Sequence, residues 1–385
     1  MFLALRELTF ARTRFLLMGL VVALIALLTV VLSGLSSGLI IDGVSGLKAL
    51  PATHIAFAEG TKTDNAFSRS VVDEHALDVW SAQDGVEDAA LLGSTIVHVT
   101  RTDGLQLDLT LFGVEPGSFV APTPGEGEPL GPIDGVVVSS SARDDGLEIG
   151  DTLVVERLDT ELRVIGFTDG QATFGHVDIA YLPLDTWRLV ATGTGQAGPP
   201  TQTQVDALST REASVVALAT TDGKSLAGAG VDAAAVDAEA GTTTRTVEQA
   251  FASSPGYTAE TMTLQLIQVF LYVICAMVVG AFFTVWTIQR GHELAVLRAV
   301  GASGRFLVRD SLIQAAVLLV VSTLIGVALG VGLGLAMPAG MPFVLETAPV
   351  VVATALTVVL GLAGAAFAVL RVLRVDPLNA LGGAR

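Results

Sequence analysis

The chain has 385 residues, 51% of them hydrophobic and 15% charged, with a formal net charge of −17 and one cysteine, Cys275. A mean hydropathy of +0.65 is too high for an ordinary water-soluble domain. The acidic balance argues against nucleic acid as a partner, and a lone cysteine excludes disulfides within the chain and cysteine metal clusters.

In chain order, the first ten residues place Phe2, Leu5 and Leu8 on one side of a helix and Arg6 and Glu7 on the other, a pattern suited to the membrane interface. An apolar run, Phe15–Leu39, is long enough to cross a bilayer as a helix, so residues 1–39 are expected to hold an amphipathic start and the first span. A cleaved signal peptide is the rival reading; the run exceeds a usual signal core, and no small-x-small site ends it. Thr29, Ser33 and Ser36 share one face of this span, and Gly34-x-x-x-Gly38 permits close helix contact at its outer end.

Residues 40–262 carry 33 acidic and 11 basic side chains, which makes them a soluble insert of α+β type. Leu105–Phe112, Thr152–Ile165, Val177–Leu182 and Ala213–Ala219 read as strands, several of them half-buried, with a turn at Leu158–Thr160. Helical pieces are expected at Val71–Ala82 and Thr246–Ser253, and loops at Pro116–Gly135 and Thr192–Thr203. His54, His75, His98 and His176 have no metal-ligand spacing and read as surface or strand-end histidines. Gly223-Lys224-Ser225 lacks the upstream glycine of a phosphate loop, because Leu218 stands there. No catalytic constellation emerges, so an enzyme is not expected.

Three further spans follow: residues 263–289, 306–337 and 348–370, the last leading into a tail that ends at 385. Residues 290–305 form a connection on one side of the membrane, and 338–347 a turn on the other. Arg6, Arg12 and Arg14, then Arg290, Arg298, Arg305 and Arg309, then Arg371, Arg374 and Arg385 all fall on one side. The positive-inside bias makes that side cytoplasmic, with both termini inside a bacterial cell membrane and residues 40–262 outside. Thr261, Gln265, Gln268, Tyr272 and Cys275 share one face of the second span; they form either a packing seam or the wall of a cleft. Leu294, Leu297 and Val300 make the 290–305 connection an amphipathic helix stopped by Gly301, lying on lipid or seated on a partner protein.

The stretch Glu293–Ser303, ELAVLRAVGAS, resembles the signature of the FtsX-like, MacB-type ABC transporter permeases. Asp376–Leu381 is similar to that family's pattern after the last span, and Gly150-Asp151-Thr152 to its outer domain. The resemblance implies a homodimer with two separate ABC ATPase subunits that bind and hydrolyse ATP. Glu293, Leu294, Leu297, Arg298 and Gly301 would then form the ATPase-coupling segment. The opening residues and Pro255-Gly256-Tyr257 further resemble heme-efflux permeases within the family. That implies heme as cargo taken from the outer leaflet, with Tyr257, Glu260 and Met262 at the mouth of the second span and Gln265, Gln268, Tyr272, Ser33 and Ser36 lining the cleft. Apart from a possible ligand to the heme iron, no metal is implied. A peptide, drug or lipid cargo, or control of a cell-wall hydrolase, are the other roles that the family offers.

Overall fold

The computed structural model describes residues 12–289, Val296, 300–338 and 341–373. The chain divides into two compact units, Met1–Leu39 with Thr261–Arg385, and Ile40–Glu260. In chain order the described elements are α1 (Arg12–Ala49), β1 (His54–Ala58), α2 (Glu74–Ser81), β2 (Val86–Arg101), β3 (Gln106–Val114), β4 (Pro124–Gly127), β5 (Gly135–Val138), β6 (Thr152–Val155), β7 (Thr160–Thr168), β8 (Thr173–Phe174), β9 (Val177–Pro183), α3 (Leu184–Ala191), α4 (Gln202–Asp206), β10 (Val215–Thr220), α5 (Ala233–Ala240), β11 (Thr242–Thr246), α6 (Val247–Ala250), α7 (Tyr257–Gln289), α8 (Gly304–Leu335) and α9 (Thr347–Leu373).

The inserted unit is α+β, built on one sheet of eleven strands in the order β11-β1-β10-β2-β3-β9-β5-β7-β4, with β6 joining β2 to β7 and β8 paired to β9. The pairs β3–β9 and β5–β7 are parallel and the rest antiparallel. Both faces of the sheet are covered. Successive residues of a strand point to opposite faces, so Val136 and Val138 enter one core while Val137 enters the other. Ala180 and Leu182 likewise oppose Ile179 and Tyr181, and Val216 and Leu218 oppose Val215 and Ala217. The half-buried alternation expected of several strands holds in β6 and at the start of β7, whereas most of β9 and β10 is buried on both faces because each face has its own core. The first core holds Trp80 of α2 and Trp187 of α3. The second is aromatic, with Phe57, Phe67, Phe112, Phe174 and Tyr181 meeting largely edge to face.

Local chemistry fixes the helices on this sheet. Asp73 caps α2 by accepting from the amide of Ala76 at 3.1 Å. Trp80, fully buried, donates through Nε1 to Thr242 Oγ1 at 3.1 Å, and that hydroxyl donates to Asp237 at 2.7 Å. Trp187 lies on Gly93 and Gly113, which face each other across β2 and β3; a Cβ at either would collide with the Trp187 side chain. The Pro116–Gly135 segment, expected to be loop throughout, contributes β4, which pairs with β7.

The second unit holds the membrane-type helices. Among the described residues, four helices are long and apolar enough to cross a bilayer: Phe15–Ala49, Tyr257–Gln289, Gly304–Leu335 and Thr347–Leu370. α1 runs ten residues past the expected end of the first span at Leu39, and its last turns belong to the inserted unit. The membrane unit's core is formed by Phe15, Met18 and Val22 of α1, Cys275, Val279, Phe283 and Trp286 of α7, Leu318 and Leu319 of α8, and Ala365, Ala368 and Val369 of α9. Phe15 meets the Trp286 ring edge-on at 4.8 Å. Small residues set the helix spacings. A Cβ at Gly326 would strike the Ala23 carbonyl of α1, and one at Gly364 the Ala276 carbonyl of α7.

Candidate functional site

Within the inserted unit, one hairpin gathers the end of α1 and the start of α7. Phe174 pairs with Val177, leaving Gly175 and His176 as a two-residue turn with φ of 64° and 63°. Positive φ at both central residues is the signature of a type I′ turn, whose twist matches a hairpin. A non-glycine residue held there is uncommon and is a frequent mark of a functional position.

His176 sits between two carboxylates. Its Nδ1 lies 2.9 Å from Asp42 Oδ2, near the end of α1, and its Nε2 lies 2.9 Å from Glu260 Oε2, on the first turn of α7. Gln171 donates to the other oxygen of Asp42 at 2.9 Å. The backbone repeats the connection: the carbonyl of Gly43 accepts from the Gly175 amide and from the Ser254 hydroxyl, each at 2.9 Å. Ser45 Oγ accepts from the Thr173 amide at 2.8 Å and lies 2.6 Å from its hydroxyl. Partial burial opposes charge on His176, but the hydrogen bonds and charges of Asp42 and Glu260 outweigh it and raise the imidazole above its ordinary pKa. Protonated, the ring can donate to both carboxylates at once; neutral, it can donate to only one.

The structure thus brings together Glu260, a predicted site residue, and His176, which the sequence reading set aside as a strand-end histidine. The usable signal was the Gly175-His176 turn between two strand-like pairs, Thr173-Phe174 and Val177-Asp178. Tyr257 stands on the same first turn of α7, its ring 6.2 Å from Phe251. Met262 is 66% exposed, Gln265 is exposed, and Gln268 and Tyr272 are half-buried. At 3.6 residues per turn, Gln265, Gln268 and Tyr272 share a face about 80° wide with Cys275 and Val279, which are fully buried lower in the bundle. That face is therefore closed in its lower half and open in its upper half.

Ser33 is 3% exposed and Ser36 half-buried, on an α1 stripe where Thr29, Val30 and Ser37 are also buried. The Gly34-x-x-x-Gly38 motif contacts a connector rather than a helix. Phe343 packs on Gly34, the Pro342 carbonyl approaches Gly38, and the Val344 amide donates to the Gly34 carbonyl at 3.0 Å. Of the predicted coupling residues, Glu293, Leu294, Leu297 and Arg298 lie outside the described residues, as do the first ten residues and Asp376–Leu381. Gly301 is described, and its φ of 107° fits a stop before Ser303, which caps α8 by accepting from the Phe306 amide. Among the described residues, no three His, Cys, Asp or Glu side chains converge on a point that could hold a metal ion.

These features define a helical membrane protein with an α+β domain inserted between its first and second spans. Residues 248–377, which take in α7, α8 and α9, match the FtsX-like permease C-terminal family. Among curated proteins, the chain is similar to the hemin transport system permease protein HrtB of Staphylococcus haemolyticus, at 33% identity over 127 residues. That match covers 33% of this chain and 36% of the relative. The HrtB protein of Staphylococcus epidermidis is 26% identical over 143 residues, 37% of this chain and 41% of that one. The chain therefore spans well under half the length of the relatives it matches. Among solved structures, the periplasmic region of MacB from Actinobacillus actinomycetemcomitans aligns with 54% of this chain and 94% of its own, at 14% identity and a TM-score of 0.36. A score that low does not establish a shared fold.

Proposed function

We propose that this protein is the non-catalytic permease subunit of an ABC exporter that expels heme from the outer leaflet of a bacterial cell membrane. The observation that carries the reading is the FtsX-like permease match over residues 248–377, joined to four apolar helices with an α+β insert. The hemin transport naming of the similar Staphylococcus proteins supports the choice of cargo. In this reading the chain is a homodimer carrying two ATPase subunits, with both termini cytoplasmic and residues 40–262 outside. ATP hydrolysis in the partner moves the helices, and the movement is transmitted mechanically to the outer domain. Tyr257, Glu260 and Met262 meet the heme at the mouth of α7, Gln265, Gln268 and Tyr272 continue the path along the helix, and Ser33 and Ser36 line it from α1. Glu293, Leu294, Leu297, Arg298 and Gly301 receive the ATPase.

The test is a heme titration of the full chain in detergent, followed by Soret absorbance. The expected result is a saturable, shifted band at one heme per dimer, weakened by Tyr257→Phe, Glu260→Gln or Met262→Leu. A featureless, non-saturating spectrum would remove heme and leave a MacB-like exporter of peptide, drug or lipid. The family match is equally compatible with a signalling permease that controls an extracellular hydrolase. Stimulation of the partner's ATPase by a cargo favours export, whereas capture of a hydrolase by the isolated outer domain favours signalling.

A further inference from the structure

Away from the heme path, α8 and α9 border an open groove of about 810 Å³ walled by Val308, Leu312, Ile313 and Ala316 on one side and Leu362, Ala363, Ala366 and Leu370 on the other. Its walls are almost wholly apolar except at one end, where Arg305 and Arg309 line it. These arginines are one turn apart on the same face of α8, where like charges repel. Neither forms an ion pair among the described residues, and the neighbouring Asp310 is engaged by Gln314 Nε2 at 3.1 Å. The positive end of the α8 dipole lies at the same end of the groove.

The dimensions match one class of ligand. Gly304 to Ala316 spans about 18 Å of helix at 1.5 Å per residue, close to the roughly 15 Å depth of a single leaflet's hydrocarbon. The small side chains of Ala316, Ala363 and Ala366 line the groove along its apolar length. A soluble anion would use the arginines and leave the apolar walls unfilled; a neutral lipid would fill the walls and leave two cations unpaired.

We propose that this groove is a binding site for an anionic phospholipid, its phosphate between Arg305 and Arg309 and one acyl chain along Leu312, Ala316, Ala363 and Ala366. Basic pockets between membrane helices on the cytoplasmic side recognise anionic headgroups in this manner. With the orientation proposed above, the lipid belongs to the inner leaflet, next to the segment that receives the ATPase. The site is separate from the heme path and does not depend on the identity of the cargo.

The experiment is electron paramagnetic resonance of the full chain, without its ATPase, in phosphatidylcholine vesicles containing trace spin-labelled phosphatidylglycerol or phosphatidylcholine. The expected result is a motionally restricted population that favours phosphatidylglycerol by roughly 25-fold, about fivefold for each arginine. The preference should fall toward unity in the Arg305→Gln/Arg309→Gln double variant. It should also fall in Ala366→Phe, which fills the groove and keeps both charges. Because the wild-type comparison stands alone, it decides the matter even where a variant fails to fold. Equal restriction of the two lipids in wild-type protein would overturn the proposal. So would a preference untouched by the double variant, or one abolished by millimolar inorganic phosphate, which would mark a headgroup-only anion site.

Discussion

The two units of this chain obey opposite packing rules. The inserted unit buries its large side chains: Trp80, Phe57, Phe67 and Phe112 are all at most 1% exposed, and its carboxylates stay at least partly exposed. The membrane unit buries its small ones at the helix crossings, Gly326 against Ala23 and Gly364 against Ala276, and leaves large apolar side chains such as Phe270, at 58% exposure, on the outside. In water, burying large apolar surface is the dominant gain. In lipid that gain vanishes, because the surroundings are as apolar as the side chain, and close backbone approach becomes the main source of attraction.

That contrast can be broken at defined points. The largest effect is expected at Trp80→Ala, which empties a fully buried site and removes the indole donor to Thr242; the inserted unit should lose about 3–5 kcal/mol, read by chemical denaturation. Gly326→Leu, a small-to-large change in the membrane unit, should separate α1 from α8 at a cost of about 1–3 kcal/mol, measured as a lower melting temperature in detergent.

His176→Ala comes next, at about 1–3 kcal/mol, because charged hydrogen bonds to Asp42 and Glu260 are lost. This loss has a pH signature. The folded pKa of His176 lies above its unfolded value of 6.5, so its stabilisation is complete below pH 6.5 and fades as pH rises through the folded value. The difference in stability between wild type and His176→Ala should therefore shrink from pH 6 upward. A difference that grew with pH would show that the imidazole is held neutral. The smallest effect is expected at Phe270→Ala, within about 0.5 kcal/mol for the chain in detergent, although the same truncation in a water-facing core would be severe. A large loss there would instead mean that this face of α7 is covered in the assembled protein.

Much of the architecture was legible in the chain because the solvent writes itself into composition. Long uncharged runs announced α1, α7, α8 and α9, and the acidic block marked the insert. Individual strands were less legible where two cores erase the alternation, and β2 escaped notice because its 16 residues change partners from β10 to β6 along their length. Of the residues around His176, Glu260 drew attention in the sequence because it clusters with Tyr257 and Met262 within six residues. His176 had only the Gly175-His176 turn as a local signal, since its partners are remote, Asp42 134 residues before it and Glu260 84 after.

By itself, then, the sequence determined the number of apolar helices, their basic flanks and the place of the insert, all of which depend on transfer between water and lipid residue by residue. Only the tertiary structure decided that a histidine in a tight turn joins the end of α1 to the start of α7, that a connector rather than a helix fills Gly34 and Gly38, and that Arg305 and Arg309 stand at the end of an apolar groove. Those features are contacts between distant segments, and their energies depend on distances that no local run of residues encodes.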